Sequence, residues 1–466
     1  MAERDEGEFQ GEALSGADAA WFRMDSSTNL MVVNAILFFD EPLDLDTLYD
    51  IVEQRLLSIP RFKQRVVTQK RKLNRPHWET DPHFSIEAHV HHVGLPGEGD
   101  EALQRFLGDL VSQPLDATKP LWQLYLLEGL PRGNALVARI HHSLADGFAL
   151  LYLMTRVVDP GDPIEFPMGS VTTVDPDEDA EEVAEVARSW RERRVIPGLP
   201  DVDTLIAMGD PRKMRSAAKQ AGIASAVTSR LLMMSPAYKS SLRGDLGTIK
   251  RVGWTRGIPL QQVKQVGAKF GGTVNDVLLL ALTDSLRTLL IERGEEPGDG
   301  ADLRCVMPVN LKPLHERGAD LGNGFGLVFL ELPIGEESPD ARLAKLKERL
   351  DGLKRSPEAF MTYAVLTTMG VSLQSAQSQL VKLFHNKSSA IATNVPGPVK
   401  PVRFAGRDIS RILFWVPQSA DVGLGFSIFS YCGVVQVGVQ ADANIMPDPN
   451  LWVDAFHAAF ERLLEG

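Results

Sequence analysis

The chain has few cysteines, and we expect no secretion signal at its start. Of its 466 residues only two are cysteines, Cys305 and Cys432, and both lie in apolar, strand-like stretches. Two cysteines cannot form the disulfide framework of a small secreted domain, so a reducing cytoplasm fits this composition. The N-terminal residues are acidic and polar and lack the apolar core of a signal peptide. We therefore expect a cytoplasmic protein.

The sequence also lacks a long hydrophobic run and an excess of basic residues. A membrane-spanning helix needs roughly 18 uninterrupted apolar residues. The best candidate, residues 274–291, is interrupted by polar side chains such as Asp284 and Arg287, and is better interpreted as a buried amphipathic helix. The net charge of −12 argues against nucleic acid as a partner. Contact with a membrane would need a local apolar or basic patch.

Several common catalytic motifs are absent. The chain has no GxSxG nucleophile elbow, no Walker A loop and no HExxH zinc motif, and the run Gly322–Gly326 is not a proper dinucleotide fingerprint. A zinc site would need about three converging ligands, which no motif here supplies. We expect no metal and no redox cofactor.

The run Ile140–Gly147 is the most informative stretch that is present. It contains the pattern HHSLADG, with an apolar strand-like run before it and an apolar helical run after it. A polar turn between a strand and a helix holds catalytic groups on a rigid frame. A second histidine pair, His91–His92, lacks the following aspartate and glycine, and we interpret it as a surface strand end.

The residue types in this turn indicate acid–base chemistry. A neutral imidazole takes up a proton near physiological pH, and His142 is the candidate general base. Neighbouring side chains in an extended turn point apart, so His141 is expected to support packing or hydrogen bonding. Asp146 either orients the loop or pairs with a buried arginine, and Gly147 suits a turn with unusual backbone angles. Ser143 is not expected to act as a nucleophile.

Alternating strands and helices predict a layered α/β protein of two domains. We expect a disordered segment at 1–14, a first domain at 15–160, a linker at 161–213 and a second domain at 214–466. The linker is rich in proline, glycine and acidic residues and contains a predicted short helix near 178–194. Apolar periodicity further predicts helices at 44–57, 276–292, 338–353 and 357–383, and strands at 303–310 and 424–431.

Five motifs in order resemble those of the bacterial wax ester synthase/acyl-CoA:diacylglycerol acyltransferase family. The family belongs to the HHxxxDG acyltransferases, which also include chloramphenicol acetyltransferase and peptide-synthetase condensation domains. The motifs are the opening run 14–22, PLDxxxPLW at 114–122, HHSLADG, Asn275–Asp276, and the NVPGP run at 394–398. Each motif is weak alone, but five in the right order are specific.

The resemblance implies two chloramphenicol-acetyltransferase-like domains that meet around a tunnel. Acyl-CoA would be the donor substrate, and a long-chain alcohol or diacylglycerol would be the acceptor. His142 would deprotonate the acceptor hydroxyl as it attacks the thioester. Because such substrates are insoluble, we expect peripheral association with a membrane or lipid droplet through exposed apolar residues.

Two further residues take roles from the resemblance. Asn275 would lie near the reacting centre and help to hold the oxyanion, or else it is simply the N-cap of the helix before Asp276. Asp25 occupies the place where the family usually has glutamate, which makes it a candidate substrate-binding residue and leaves acceptor choice open.

Two alternative functions remain. One is a related acyltransferase that uses a carrier-protein thioester or a different acceptor, against which the Asn275–Asp276 and NVPGP motifs argue. The other is a non-catalytic lipid-binding or lipid-droplet protein, against which the intact His142 and Asp146 argue.

Overall fold

The computed structural model describes residues 11–68, 75–161, 164–166, 234–311, 322–354, 356, 358–369, 381, 386–419 and 421–465. Most of the predicted linker at 161–213, including its predicted short helix, lies outside these residues. So do residues 1–10 of the predicted disordered segment.

The strands, in chain order, are β1 (Glu12–Ala13), β2 (Val32–Phe39), β3 (Gln64–Val67), β4 (His77–Thr80), β5 (Val90–Gly94), β6 (Trp122–Glu128), β7 (Asn134–His141), β8 (Lys250–Trp254), β9 (Ile258–Pro259), β10 (Leu303–Asn310), β11 (Phe325–Leu332), β12 (Ala390–Pro396), β13 (Arg403–Phe404), β14 (Arg407–Trp415), β15 (Leu424–Tyr431) and β16 (Val434–Asp442).

The helices are α1 (Gly16–Met24), α2 (Leu45–Ile51), α3 (Gly99–Val111), α4 (Gly147–Val157), α5 (Leu260–Phe270), α6 (Val274–Glu292), α7 (Pro339–Lys354), α8 (Glu358–Met369) and α9 (Asn450–Glu465). Among the described residues, no helix is both long and apolar enough to span a bilayer.

Two large sheets form the frame of the molecule. The first has the strand order β13-β14-β2-β7-β6-β5, and the second has the order β11-β10-β12-β15-β16-β8, with β9 also paired to β16. Strands β2 and β7 lie in the middle of the first sheet, and most of their residues are buried. Central strands are covered on both faces, which explains why their sequences are nearly continuous apolar runs rather than alternating patterns.

The first sheet contains two strands from the second half of the chain. Strand β14 pairs antiparallel with β2, with Trp415 opposite Asn34 and Phe414 opposite Ala35. Residues 403–415 fall within the predicted second domain, so this exchange of strands differs from the predicted division. Its physical basis is that β14 completes the edge of β2, which would otherwise expose a row of unpaired backbone groups.

The start of the described chain is ordered, in contrast to the prediction for residues 11–14. Strand β1 pairs with β4, so that Glu12 lies opposite Trp78 and Ala13 opposite His77. Leu14 is fully buried. Backbone pairing and burial of one large apolar side chain hold this short segment against the first half of the molecule.

Most of the predicted elements of the second half are confirmed. Strands 303–310 and 424–431 have the predicted bounds, and the predicted helix 338–353 is shifted by one residue. The predicted helix 44–57 instead ends at Ile51 and continues as one π-helical turn, Val52–Leu56. Of the predicted helix 357–383, the structure describes the part that forms α8 and little beyond it.

Helix α1 packs closely against α8 and thereby connects the two halves. A Cβ atom at Gly16 would lie 2.2 Å from the backbone oxygen of Thr367. Only glycine permits this approach, so the first turn of α1 lies directly against the backbone of α8.

Candidate active site

The HHSLADG turn joins the central strand β7 to helix α4. His141 is the last residue of β7, and Gly147 is the first residue of α4. The turn itself is buried, and the backbone N–H of His142 donates to the oxygen of Met31 at 2.7 Å. A central strand and an apolar helix therefore hold the turn on both sides.

The His142 ring is held by contacts on its face and at Nδ1. Its Nδ1 lies 2.9 Å from Oδ1 of Asn323, and its ring stacks on Trp21 with centroids 4.4 Å apart. Among the described residues, Nε2 has no hydrogen-bond partner. Burial lowers the pKa of His142 to about 4, so the imidazole is neutral at physiological pH. A neutral ring with a bare nitrogen is able to accept a proton.

His141 points away from His142, as predicted. Its Nδ1 accepts the backbone N–H of Ser143 at 3.1 Å, and its Nε2 lies 3.8 Å from Oδ1 of Asp25. Asp25 also accepts the backbone N–H of Met31 at 2.6 Å. The residues that line the cavity described below include neither His141 nor Asp25. Both therefore support the loop behind the turn, and the contact of Asp25 with substrate stays a prediction.

Asp146 orients the loop. Its Oδ1 accepts the backbone N–H of Ala149 at 2.8 Å, which makes it the N-cap of α4. Its Oδ2 accepts the backbone N–H of Gly324 at 2.9 Å. One carboxylate thus satisfies a helix terminus in one half of the chain and a loop in the other.

The expectation for Gly147 is wrong. Its φ is not in the left-handed range, and it is an ordinary first residue of a helix. A Cβ here would meet only Cγ2 of Val395, at 3.8 Å. Gly147 does line the cavity, so the absence of a side chain leaves space next to His142 rather than relieving the backbone.

The Asn275–Asp276 motif begins helix α6, but Asn275 is not its N-cap. The cap is Thr273, which forms a capping box with Asp276. Asn275 instead accepts a hydrogen bond from Nδ2 of Asn394 at 2.9 Å. Asn394, and not Asn275, lines the cavity beside the turn. The two motifs of the second half therefore meet, with Asn275 supporting the amide that faces the cavity.

A cavity of about 250 Å³ runs along the inner face of α4. His142, Asp146 and Gly147 line it at the start of α4, and its wall continues along α4 to Val157 and Val158. Most of the remaining wall is aliphatic or aromatic, contributed by both sheets. A few polar groups with a chemical role thus line an otherwise apolar space, as is common in ligand sites.

Sequence reasoning missed Asn323, Asp18 and Trp21. Asn323 lies in the run Gly322–Gly326, which had been considered only as a dinucleotide fingerprint. Asp18 and Trp21 lie in the opening motif, which had been used only to establish the resemblance. The available signals were a polar residue flanked by glycines before an apolar strand, and a buried acid in an apolar helix.

Family models match both halves of the chain. The wax ester synthase/diacylglycerol acyltransferase catalytic domain matches residues 14–278, and the C-terminal domain of the same family matches residues 321–464. Together the two models include the opening motif, the HHSLADG turn, Asn275–Asp276, the Asn323 loop and the NVPGP run.

Curated relatives have the same organisation. A Mycobacterium tuberculosis (strain H37Rv) protein, "Probable diacyglycerol O-acyltransferase tgs1", is 29% identical over 448 residues, which cover 93% of this chain and 91% of the relative. A second protein of that strain, named as the diacylglycerol O-acyltransferase Rv3371, is 28% identical over 424 residues, covering 90% and 82%.

Solved structures share the fold. The wax ester synthase/diacylglycerol acyltransferase from Marinobacter aquaeolei VT8 superposes with a TM-score of 0.66 at 20% identity, covering 97% of this chain and 98% of that one. The first condensation domain of the CDA synthetase gives a TM-score of 0.58 at 15% identity, covering 99% and 96%. The predicted two-domain α/β architecture is confirmed. Because the catalytic-domain model covers more than half of the sequence, the chain belongs to the wax ester synthase/diacylglycerol acyltransferase family.

Proposed function

We propose that this chain transfers a long-chain fatty acyl group from acyl-CoA to the hydroxyl of diacylglycerol or of a long-chain alcohol, with His142 as the general base. One observation carries the assignment of the base. The His142 imidazole lines a largely apolar cavity, its Nδ1 lies 2.9 Å from Oδ1 of Asn323, and its Nε2 has no partner among the described residues.

The reaction follows from this arrangement. Nε2 of His142 takes the proton of the acceptor hydroxyl while the hydroxyl oxygen bonds to the thioester carbonyl carbon. The tetrahedral intermediate then collapses, the carbon–sulfur bond breaks, and the CoA thiolate takes the proton back from His142. The products are an ester and free CoA. A positioned base contributes about 10²–10⁴-fold to such a step, and no covalent acyl-enzyme is needed.

The carbonyl oxygen becomes negatively charged in the intermediate and needs a hydrogen-bond donor. Asn394 presents its amide to the cavity wall, and Asn275 accepts one of its Nδ2 hydrogens. We assign the remaining N–H of Asn394 to the oxyanion and a positioning role to Asn275. A donor placed in this way typically contributes about 3–4 kcal/mol to the stabilisation of the transition state.

The apolar length of the cavity suits a hydrocarbon chain. From Gly147 to Val157 the wall follows the 11 residues of α4, whose ten steps span about 15 Å at the rise of an α-helix. Burying methylene groups along this wall stabilises the bound chain by about 0.8 kcal/mol for each group. The proposal therefore places the acyl chain along α4 and the thioester next to His142.

The proposal extends to partners and place of action. The relatives named as diacylglycerol O-acyltransferases favour diacylglycerol as the acceptor. Acyl-CoA enters as a substrate, and neither a metal nor a redox cofactor takes part in the proposed steps. Since the acceptor is insoluble in water, the chain is proposed to act in the cytoplasm as a peripheral protein on membranes or lipid droplets. Flotation with diacylglycerol-containing vesicles tests this association.

The test of the proposed function is ester formation by the purified protein. Labelled palmitoyl-CoA is offered with diolein or with hexadecanol in separate reactions, and labelled lipid is resolved by thin-layer chromatography. We expect labelled ester, and we expect His142→Ala to reduce the rate by about 10²–10⁴-fold, the share of a general base.

The matched control is His92→Ala. His92 belongs to the other histidine pair and lies on the surface of β5, where its Nε2 is 2.9 Å from Oε1 of Glu128. This variant should retain full activity. Ester formation that is unchanged in His142→Ala would remove His142 as the base, and no ester with either acceptor would overturn the proposed reaction.

A further inference from the structure

Asn323 connects the candidate base to a buried carboxylate in the opening helix. Its Oδ1 lies 2.9 Å from Nδ1 of His142, and its Nδ2 lies 2.7 Å from Oδ1 of Asp18 and 2.8 Å from the backbone oxygen of His142. The backbone N–H of Asn323 donates to the same Asp18 oxygen at 3.1 Å. All three residues are buried.

These contacts decide which way the Asn323 amide faces. The backbone oxygen of His142 can only accept a hydrogen bond, and Oδ1 of Asp18 already accepts the backbone N–H of Asn323. The group facing both oxygens must therefore be the NH₂ group of the amide. Its carbonyl oxygen consequently faces the imidazole.

The orientation of the amide sets the tautomer of His142. An amide oxygen only accepts hydrogen bonds, so Nδ1 of His142 must carry the proton. In a neutral imidazole the other nitrogen, Nε2, then has the free electron pair. The nitrogen without a partner among the described residues is thus the one that is able to accept a proton.

The other charged groups near the His142 ring do not set its tautomer. Asp146 is engaged by the backbone N–H groups of Ala149 and Gly324, and His141 is engaged by Ser143 and faces Asp25. Burial raises the pKa of Asp18, but Asp18 meets His142 only through the Asn323 amide. Asn323 is the described residue that hydrogen-bonds the ring itself.

We propose that Asn323 is a positioning residue that holds His142 in the Nδ1-protonated tautomer, and that Asp18 fixes the orientation of the Asn323 amide. This inference rests on the proposed function of His142 as the base. It assigns the loop at 322–324, just before β11, a direct part in activating a histidine of the first half. The active base then exists only when the two halves are correctly assembled.

The first experiment reads the tautomer and needs no activity. The full-length protein is labelled with ¹⁵N-histidine, and long-range ¹H–¹⁵N correlation spectra are recorded at pH 7, with His142→Ala identifying the signal. We expect a neutral ring with a protonated Nδ1 in the wild type. In Asn323→Ala we expect the proton to move to Nε2, because its acceptor at Nδ1 is lost. A wild-type ring with the proton on Nε2 would overturn the proposal.

The second experiment measures kcat and KM for palmitoyl-CoA across pH. Loss of the correct tautomer can lower kcat by up to about 10⁴-fold in other histidine-dependent enzymes. We expect Asn323→Ala to lower kcat at least about tenfold, with little change in KM. Asn323→Asp keeps an acceptor at Nδ1 and can share a proton with Asp18. It should recover much of kcat, with the acid limb of the profile moved to higher pH by the added negative charge.

The matched control is Asn134→Ala. Asn134 is as buried as Asn323, but it holds the backbone of Leu43 and does not line the cavity. This variant should change stability while leaving the tautomer and the pH profile as in the wild type. An unchanged kcat in Asn323→Ala, or the same loss of kcat and the same profile in Asn134→Ala, would make Asn323 merely structural.

The two proposals can fail separately. If the wild type forms ester and His142→Ala does not, the base assignment stands even when Asn323→Ala retains the tautomer, and only the positioning role is lost. If the wild type forms no ester, the spectra still test the tautomer. Should Asn323→Ala fail to fold, the wild-type spectrum and Asn323→Asp still decide the question.

Discussion

The carboxylate of Asp146 bonds to both halves of the molecule, capping α4 through Ala149 and holding the backbone N–H of Gly324 at 2.9 Å. Gly324 directly follows Asn323, the partner of His142. The aspartate of the HHSLADG turn therefore does more than begin a helix. It positions the loop that supplies the hydrogen-bond acceptor for the candidate base, which couples the fold to the chemistry of the site.

Removal of this carboxylate should destabilise the protein. In Asp146→Ala the helix loses its cap, which typically costs about 0.5–2 kcal/mol, and the buried Gly324 N–H loses its acceptor, which costs about 1–3 kcal/mol. Chemical denaturation should show a loss of about 2–4 kcal/mol in the free energy of unfolding. Asp44→Ala removes the exposed cap of α2 and should cost less. Equal losses in both variants would mean that the bond to Gly324 adds no stability.

Gly147→Ala should separate stability from activity. The backbone at Gly147 is ordinary and a Cβ fits, so the free energy of unfolding should be unchanged or rise by up to about 1 kcal/mol. The added methyl group takes space beside His142, so kcat/KM should fall. Gly16→Ala is the contrasting variant, since its Cβ would overlap Thr367 and should destabilise the fold. Normal activity in Gly147→Ala would show that substrate does not approach this residue.

His142 should make the protein less stable in acid. Burial lowers its pKa to about 4, whereas an unfolded histidine titrates near 6.5. As pH falls below about 6.5, this histidine becomes protonated in the unfolded chain, whereas folded His142 stays neutral until about pH 4. The free energy of unfolding therefore falls, by on the order of 3 kcal/mol at pH 4. Urea unfolding of His142→Gln should therefore vary less between pH 7 and pH 4.5. The surface variant His92→Gln should show the same pH dependence of the free energy of unfolding as the wild type. If the free energy of unfolding of His142→Gln also varied with pH as in the wild type, burial of His142 would not be the cause.

Val157 should control the preferred length of the acyl chain. It lies at the end of the α4 wall away from His142 and is only half-buried, so a larger side chain can be accommodated there. We expect Val157→Phe to lower kcat/KM for palmitoyl-CoA more than for decanoyl-CoA, because the ring shortens the apolar space. Ile291→Phe enlarges an exposed residue on α6 and should leave the ratio unchanged. If Val157→Phe lowered kcat/KM equally for both donors, the acyl chain would not extend along α4 to Val157.

Local patterns were sufficient for most of the elements. The largely apolar runs of β10 and β15 predict their bounds because a strand between buried neighbours is apolar along most of its length. Helix α6 begins two residues earlier than predicted because Thr273 and Asp276 form a capping box. The π-helical turn after α2 was not predictable, since the periodicity of the sequence continues through it.

The sequence by itself determined the motif set, the histidine pair and the family, because these depend on residue identities and on short spacings along one strand, turn and helix. It also predicted that His141 and His142 point apart, which follows from backbone geometry alone.

Tertiary structure alone decided which of these residues meet. Asn323 is 181 positions from His142 and Asp18 is 305 positions from Asn323, yet the three lie in one hydrogen-bonded row. Strand β14 likewise crosses into the first sheet from a distant part of the chain. Such contacts depend on how two halves pack, and neither helical nor strand periodicity carries that information. The contact from which we infer the tautomer of the candidate base is therefore found only in the folded molecule.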